Sequence, residues 1–76
     1  MVSMKFVMDN VPHNKPFTAR EMYRYLYPDV PEWEVGINLP QLTQTLRKLH
    51  RWGMIKRVEG VDGITNHMAY IYMIED

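Results

Sequence analysis

Residues 38–57 read NLPQLTQTLRKLHRWGMIKR and hold five Lys or Arg side chains but no Asp or Glu. The chain as a whole has 76 residues, with nine Lys or Arg and nine Asp or Glu, so its formal net charge is zero. This stretch is therefore a local excess of positive charge in a neutral protein. Where its cations point decides whether they form a binding surface or an ordinary solvated face.

The stretch predicts an amphipathic helix from Leu39 to Trp52. Asn38 is the predicted N-cap, Pro40 lies in the predicted first turn, where its missing N–H is harmless, and Gly53 is the predicted terminating glycine. Four leucines recur at helical spacing and predict an apolar stripe that faces the core. They are Leu39, Leu42, Leu46 and Leu49.

The opposite side of this predicted helix is polar and lacks acids. A solvated helix face usually mixes Glu with Lys, because pairs of opposite charge four residues apart stabilise the helix. Here two glutamines and three cations share the face. They are Gln41, Gln44, Arg47, Lys48 and Arg51.

The rest of the chain predicts two shorter helices before this one and a β-hairpin after it. Ser3 can cap a helix that begins near Met4 and ends at Pro12, and the capping-box pattern of residues 18–21 starts a second helix that ends before Pro28. Residues 28–37 predict an extended connection. MIKRVE (54–59) and MAYIYMI (68–74) predict the two strands, with Tyr70 and Tyr72 expected to pack in the core. The chain is expected to form one α+β domain over residues 1–76.

The composition and the missing motifs exclude several classes of protein. The chain has no Cys, and no apolar run approaches the roughly 20 residues of a membrane span. We therefore expect an intracellular, cytoplasmic protein that does not enter membranes. It carries no glycine-rich phosphate loop, nucleophile motif or paired metal-binding histidines, so we expect no catalytic activity, cofactor or metal site.

The order of elements resembles the winged helix-turn-helix family. The resemblance is carried by KPFTAREMYRYL (15–26), LTQTLRKLHRWGMIKR (42–57) and MAYIYMI (68–74). It implies a winged helix, that is, a three-helix bundle with a C-terminal two-stranded β-hairpin wing, whose third helix enters the major groove of DNA. It also implies that Gln41, Thr43, Gln44 and Lys48 contact bases and that Arg47, Arg51 and Arg57 contact phosphates. The connection 28–37 is longer than the family's turn, and the wing carries Glu59 and Asp62.

Two functions are compatible with this pattern. The first is a small sequence-specific double-stranded DNA-binding protein, a transcriptional regulator that inserts helix 39–52 in the major groove. The second is a winged-helix protein–protein interaction module in a replication, transcription or viral complex, which the neutral charge and the acidic wing favour. Because strand 68–74 is apolar on both faces, we also predict a homodimer or partner interface formed by Tyr25, Tyr27, Trp33 and that strand.

Overall fold

A computed structural model describes residues 3–75, which form three helices and a three-stranded antiparallel sheet in the order β1-β3-β2. This confirms the predicted α+β class and adds one strand to the predicted hairpin. None of the helices within residues 3–75 is long and apolar enough to cross a membrane. In chain order the elements are α1 (Met4–Asn10), β1 (Phe17–Thr18), α2 (Ala19–Leu26), α3 (Glu32–Arg51), β2 (Lys56–Val61) and β3 (Met68–Met73).

The predicted starts of α1 and α2 are confirmed by their capping hydrogen bonds. Ser3 Oγ accepts the Phe6 N–H at 3.1 Å. At α2, Thr18 Oγ1 accepts the Glu21 N–H at 3.2 Å, and Glu21 Oε1 accepts the Thr18 N–H at 2.9 Å. Each bond satisfies an amide that the helix itself leaves unpaired, so these short-range patterns define where the helices begin.

The predicted start of the third helix at Leu39 is wrong. α3 begins at Glu32, with Pro31 as its N-cap residue, and runs 20 residues to Arg51. Asn38 therefore does not cap it, and residues 32–37 of the predicted extended connection are helical. The physical reason is Val35, which lies one turn before Leu39, extends the leucine stripe and is fully buried. The connection between α2 and α3 shortens to the five residues 27–31.

Pro40 consequently lies in the interior of α3 and not in its first turn. Proline has no N–H, so the carbonyl of Gly36 lacks its usual donor within the helix. Both residues are exposed, which lets water bond that carbonyl. The helix continues through this break because its other side is held in the core by the fully buried Val35 and Leu42.

The predicted end of α3 at a glycine is confirmed. Gly53 has φ of 74° and donates its N–H to the His50 carbonyl at 3.0 Å, while the Met54 N–H bonds the Leu49 carbonyl at 2.9 Å. These two bonds are the Schellman motif, which needs a residue in the left-handed conformation. The chain then turns through the buried Ile55 into β2.

The core lies between the helices and the β1 end of the sheet. Tyr72 is buried, as predicted for the core, and pairs with Phe17 of β1. The prediction that Tyr70 packs in the core is wrong, because 40% of its surface is exposed. Apolar side chains toward the far end of the hairpin are more exposed, with Val61 at 53% and Met68 at 72%, although Asp62 in its loop is buried. The buried apolar residues are Val7, Val11, Phe17, Met22, Tyr23, Val35, Leu42, Leu46, Leu49, Ile55, Tyr72 and Ile74.

Candidate nucleic-acid interface

The longer α3 presents a larger exposed face than the sequence predicted. At 100° per residue, Trp33 and Ile37 fall within about 20° of Gln44 around the helix axis. Their side chains are 68% and 66% exposed. We call the exposed side of the helix the α3 face. Its members, all exposed, are Trp33, Gly36, Ile37, Pro40, Gln41, Gln44, Arg47, Lys48 and Arg51.

The α3 face changes character along the helix and holds no Asp or Glu. Its N-terminal part is apolar, with Trp33 and Ile37, and its middle carries the amides of Gln41 and Gln44. Its C-terminal part carries the cations Arg47, Lys48 and Arg51. At 1.5 Å per residue the face is about 27 Å long. Glu34, which is half-buried and projects about 20° from Gln41 around the helix axis, borders the face at its N-terminal end.

The cations of the α3 face make no ion pair within residues 3–75. Three cations elsewhere in the structure are paired: Arg20 and Arg24 with Glu32, and Lys56 with Glu75. The three on the face, Arg47, Lys48 and Arg51, are exposed and have no carboxylate within ion-pair distance among the described residues. Lys5, Lys15 and Arg57 also lack an ion pair among the described residues, but they lie on separate parts of the chain, whereas the α3 face brings three such cations together.

The helix macrodipole explains the position of some of these cations, so those positions alone do not indicate a ligand. Lys48 and Arg51 lie in the last turn of α3, and Glu32 and Glu34 lie in the first. Such charges stabilise a helix by about 0.3–1 kcal/mol each. Arg47 lies before the last turn, so the macrodipole does not account for it. Substitution of Arg47 is therefore the change that best tests a binding role of these cations without also removing a charge that stabilises the helix.

Most of the predicted site residues meet on one surface. Gln41, Gln44, Arg47, Lys48 and Arg51 all belong to the α3 face. The two others lie apart from it. Thr43 is half-buried and donates its hydroxyl to the Leu39 carbonyl at 3.0 Å, and the Arg57 guanidinium on β2 lies 4.1 Å from the centre of the Tyr70 ring.

A groove runs along one flank of the α3 face. Its volume is about 370 Å³, and the small side chains of Gly36 and Pro40 leave the helix backbone reachable there. The other lining residues are Leu39, Thr43, Gln44 and Arg47. The α3 face is therefore bordered by a concave surface that runs from Gly36 to Arg47.

An ion-pair cluster joins α2 to the start of α3. Arg20 Nη1 donates to Glu32 Oε1 at 2.7 Å, and Arg24 Nη2 donates to Glu32 Oε2 at 2.6 Å. Arg24 also donates to the Val30 carbonyl in the connection. The hydrogen bond from Arg24, together with the charges of both arginines, lowers the pKa of Glu32 below its ordinary value. The cluster holds the connection 27–31 and keeps the Glu32 carboxylate away from the α3 face.

Glu32→Gln is expected to destabilise the protein at pH 7 but much less at pH 3. A carboxyl whose pKa is lower in the folded than in the unfolded state stabilises the fold above its unfolded pKa. That contribution is lost as pH falls through the folded pKa, which for Glu32 is held below the ordinary value of a glutamate by the hydrogen bond from Arg24. Urea unfolding at the two pH values measures the difference, with Glu59→Gln, an exposed carboxylate with no ion pair among the described residues, as the matched control. An equal loss at both pH values would show that the cluster does not stabilise the fold electrostatically.

The hairpin is less acidic on its surface than its sequence suggests. Asp62 is 5% exposed, and its carboxylate accepts the Ile64 N–H at 2.8 Å, which shapes the loop 62–67. Glu75 is paired with Lys56 at 3.2 Å. Glu59 is the exposed carboxylate of β2. Glu59 is therefore the hairpin carboxylate that faces solvent, while Asp62 is turned into the loop.

The residues predicted to form a partner interface have different environments. Tyr25 and Trp33 are exposed. Tyr27 is half-buried, with its ring centre 4.9 Å from that of Tyr23 and 6.1 Å from that of Phe6. On the 68–74 strand, the half-buried Ile71 lies over Gly60 of β2. Tyr27 is thus used in packing α1 against α2, while Trp33 belongs to the α3 face.

Comparison with protein-family models, curated proteins and solved structures gave no match. The function of this chain is therefore argued from its own residues. The features that a function has to explain are the α3 face, its three cations that have no ion pair among the described residues, and its two exposed apolar residues.

Proposed function

We propose that this chain is a small winged-helix protein that binds double-stranded DNA sequence-specifically and acts as a transcriptional regulator, with α3 in the major groove. The observation that carries the proposal is the α3 face, where three cations without carboxylate partners among the described residues adjoin two exposed glutamines. The five-residue connection 27–31 adds support, since it is close to the 3–4 residues of a helix-turn-helix turn.

The α3 face matches the chemistry of a major groove. A groove about 12 Å wide admits a helix, and Gln can bond adenine N6 and N7 at the base edge. Lys and Arg neutralise the phosphates that border the groove. We therefore assign base contacts to Gln41 and Gln44 and phosphate contacts to Arg47, Lys48 and Arg51. Occupancy of the site, with no chemical step, is the regulatory event.

A fluorescence-anisotropy titration of a random-sequence duplex at several salt concentrations tests this proposal. Each phosphate contact adds about 0.9 to the slope of log affinity against log salt. We expect Arg47→Ala to weaken binding to all duplexes and to reduce the slope by about 1. Gln44→Ala should relax the base preference and leave the slope unchanged. Lys5→Ala, an exposed cation on α1, is the control.

If Arg47→Ala behaves as Lys5→Ala does, α3 is not the DNA-binding element. If the parent protein fails to bind duplex even at low salt, the second candidate function gains support. That candidate is a protein–protein interaction module, and the exposed Trp33 favours it because Trp is enriched at protein interfaces. The absence of carboxylates from the α3 face would then select an acidic partner protein.

A further inference from the structure

Ile37 is an exposed aliphatic side chain on a face that otherwise has the character of a DNA-contacting surface. It is 66% exposed and lies one turn before Gln41 and two turns before Gln44. Exposure alone does not distinguish Ile37, since Val58 and Met68 are exposed to a similar degree. Its position in line with the glutamines indicates that it meets the same ligand as they do.

The major groove offers one apolar group to a side chain in this position. Among the unmodified bases, only thymine presents a methyl group there, on C5. A rise of 1.5 Å per residue separates Ile37 from Gln41 by about 6 Å, which is about two base-pair steps of 3.4 Å. A thymine methyl under Ile37 and an adenine under Gln41 therefore fit the spacing of the two residues.

We propose that α3 enters the major groove with its N-terminal half against the base edges, and that Ile37 reads the 5-methyl group of a thymine. This inference rests on the proposed function and deepens it, because it assigns a specificity-determining residue and one required base. The order of groups along α3 supports this orientation. Apolar and amide groups come first, where base edges lie, and cations come after them, where the helix leaves the groove and meets phosphates.

Charge complementarity favours DNA over a second copy of the chain as the occupant of the α3 face. Two α3 faces in antiparallel contact would place Arg47, Lys48 and Arg51 of each copy against Trp33 and Ile37 of the other. Parallel contact would bring the cations together. The carboxylates near the N-terminal end of the face are Glu32, which is already paired with Arg20 and Arg24, and Glu34, which is half-buried. Two such carboxylates compensate the three cations incompletely in the antiparallel arrangement and not at all in the parallel one. A polyanion such as DNA supplies the negative charge that these cations lack.

The test begins with in vitro selection from a pool of random duplexes and continues with chemical substitution of the selected site. Each thymine is replaced in turn by deoxyuridine, which lacks only the methyl group. We expect one replacement to weaken binding about fourfold, the value for one buried methyl group. Ile37→Ala should bind the thymine and uracil duplexes equally. Ile37→Val should keep part of the difference, and Met68→Ala, an exposed apolar residue on β3, should keep all of it.

The outcomes separate this inference from the function on which it rests. Selection that enriches no sequence overturns both. A selected site that contains no thymine, or one in which every uracil replacement is neutral, overturns the reading of thymine by Ile37 and leaves DNA binding intact. Retention of the thymine preference by Ile37→Ala overturns the assignment to this residue. Sedimentation that shows a dimer which Ile37→Ala dissociates overturns it as well, because Ile37 would then face a second copy.

Discussion

Leu46→Ala is expected to lower the free energy of unfolding by about 3 kcal/mol. Leu46 is fully buried in the middle of the α3 stripe. Its truncation removes buried apolar surface and leaves a cavity that a core of this size cannot close. A domain of 76 residues has a total stability of about 4–11 kcal/mol at the usual 0.05–0.15 kcal/mol per residue. This one change therefore removes a large share of it.

Urea unfolding followed by circular dichroism measures the loss. The matched control is Leu39→Ala, which removes the same atoms from the same stripe at a position that is only half-buried. We expect the control to lose clearly less stability, since part of the Leu39 side chain already contacts water. Equal losses in the two variants would contradict the burial that places the core under the middle of α3.

Pro40→Ala is expected to raise the free energy of unfolding by about 2 kcal/mol. Proline in a helix interior costs about 3 kcal/mol relative to alanine, and its restriction of the unfolded chain offsets up to about 1 kcal/mol of that cost. Alanine restores the hydrogen bond to the Gly36 carbonyl. The midpoint of thermal unfolding should rise by about 10 °C.

This experiment also decides where α3 begins. If the helix began at Leu39, Pro40 would occupy its first turn, where proline is favourable, and Pro40→Ala would be neutral or destabilising. Gln44→Ala serves as the control, because it changes an exposed position of the same helix and should shift the unfolding midpoint little. A neutral result for Pro40→Ala would contradict the start at Glu32.

Features set by neighbouring residues could be predicted from the sequence. The Ser3 cap, the Thr18–Glu21 capping box and the left-handed Gly53 each depend on residues within one helical turn, and each is confirmed. The start of α3 was predicted wrongly for the same reason. Pro40 and the two prolines before it indicated a break locally, whereas burial of Val35 is a tertiary effect that outweighs the cost of an interior proline.

The strand β1 depends on contacts that no local pattern contains. It consists of two residues, Phe17 and Thr18, and exists because β3 lies beside it, more than fifty residues further along the chain. Exposure of Tyr70 has a similar origin. Its alternation with Tyr72 predicts burial of both, but Tyr72 pairs with the buried Phe17 of β1, whereas Tyr70 lies beyond the two-residue β1 and has a strand partner only in β2.

The candidate site was predicted in part. Five of its residues follow from the projection of residues 39–52, since a helical face depends only on spacing within the helix. Trp33 and Ile37 were missed as members of this face, because residues 28–37 were expected to be extended. The signal that would have found them is Val35, which continues the heptad-like spacing of the leucines toward the N-terminus.

The length of α3 has a consequence for insertions and deletions. One helix supplies both the core stripe and the α3 face, so one residue inserted between Ile37 and Arg47 would rotate the N-terminal part of the helix by about 100° relative to the C-terminal part. Val35 would leave the core, and Ile37 would lose its alignment with the cations. Changes of seven residues would nearly preserve both registers. Variation in chain length should therefore be confined to the loops at residues 11–16, 27–31 and 62–67.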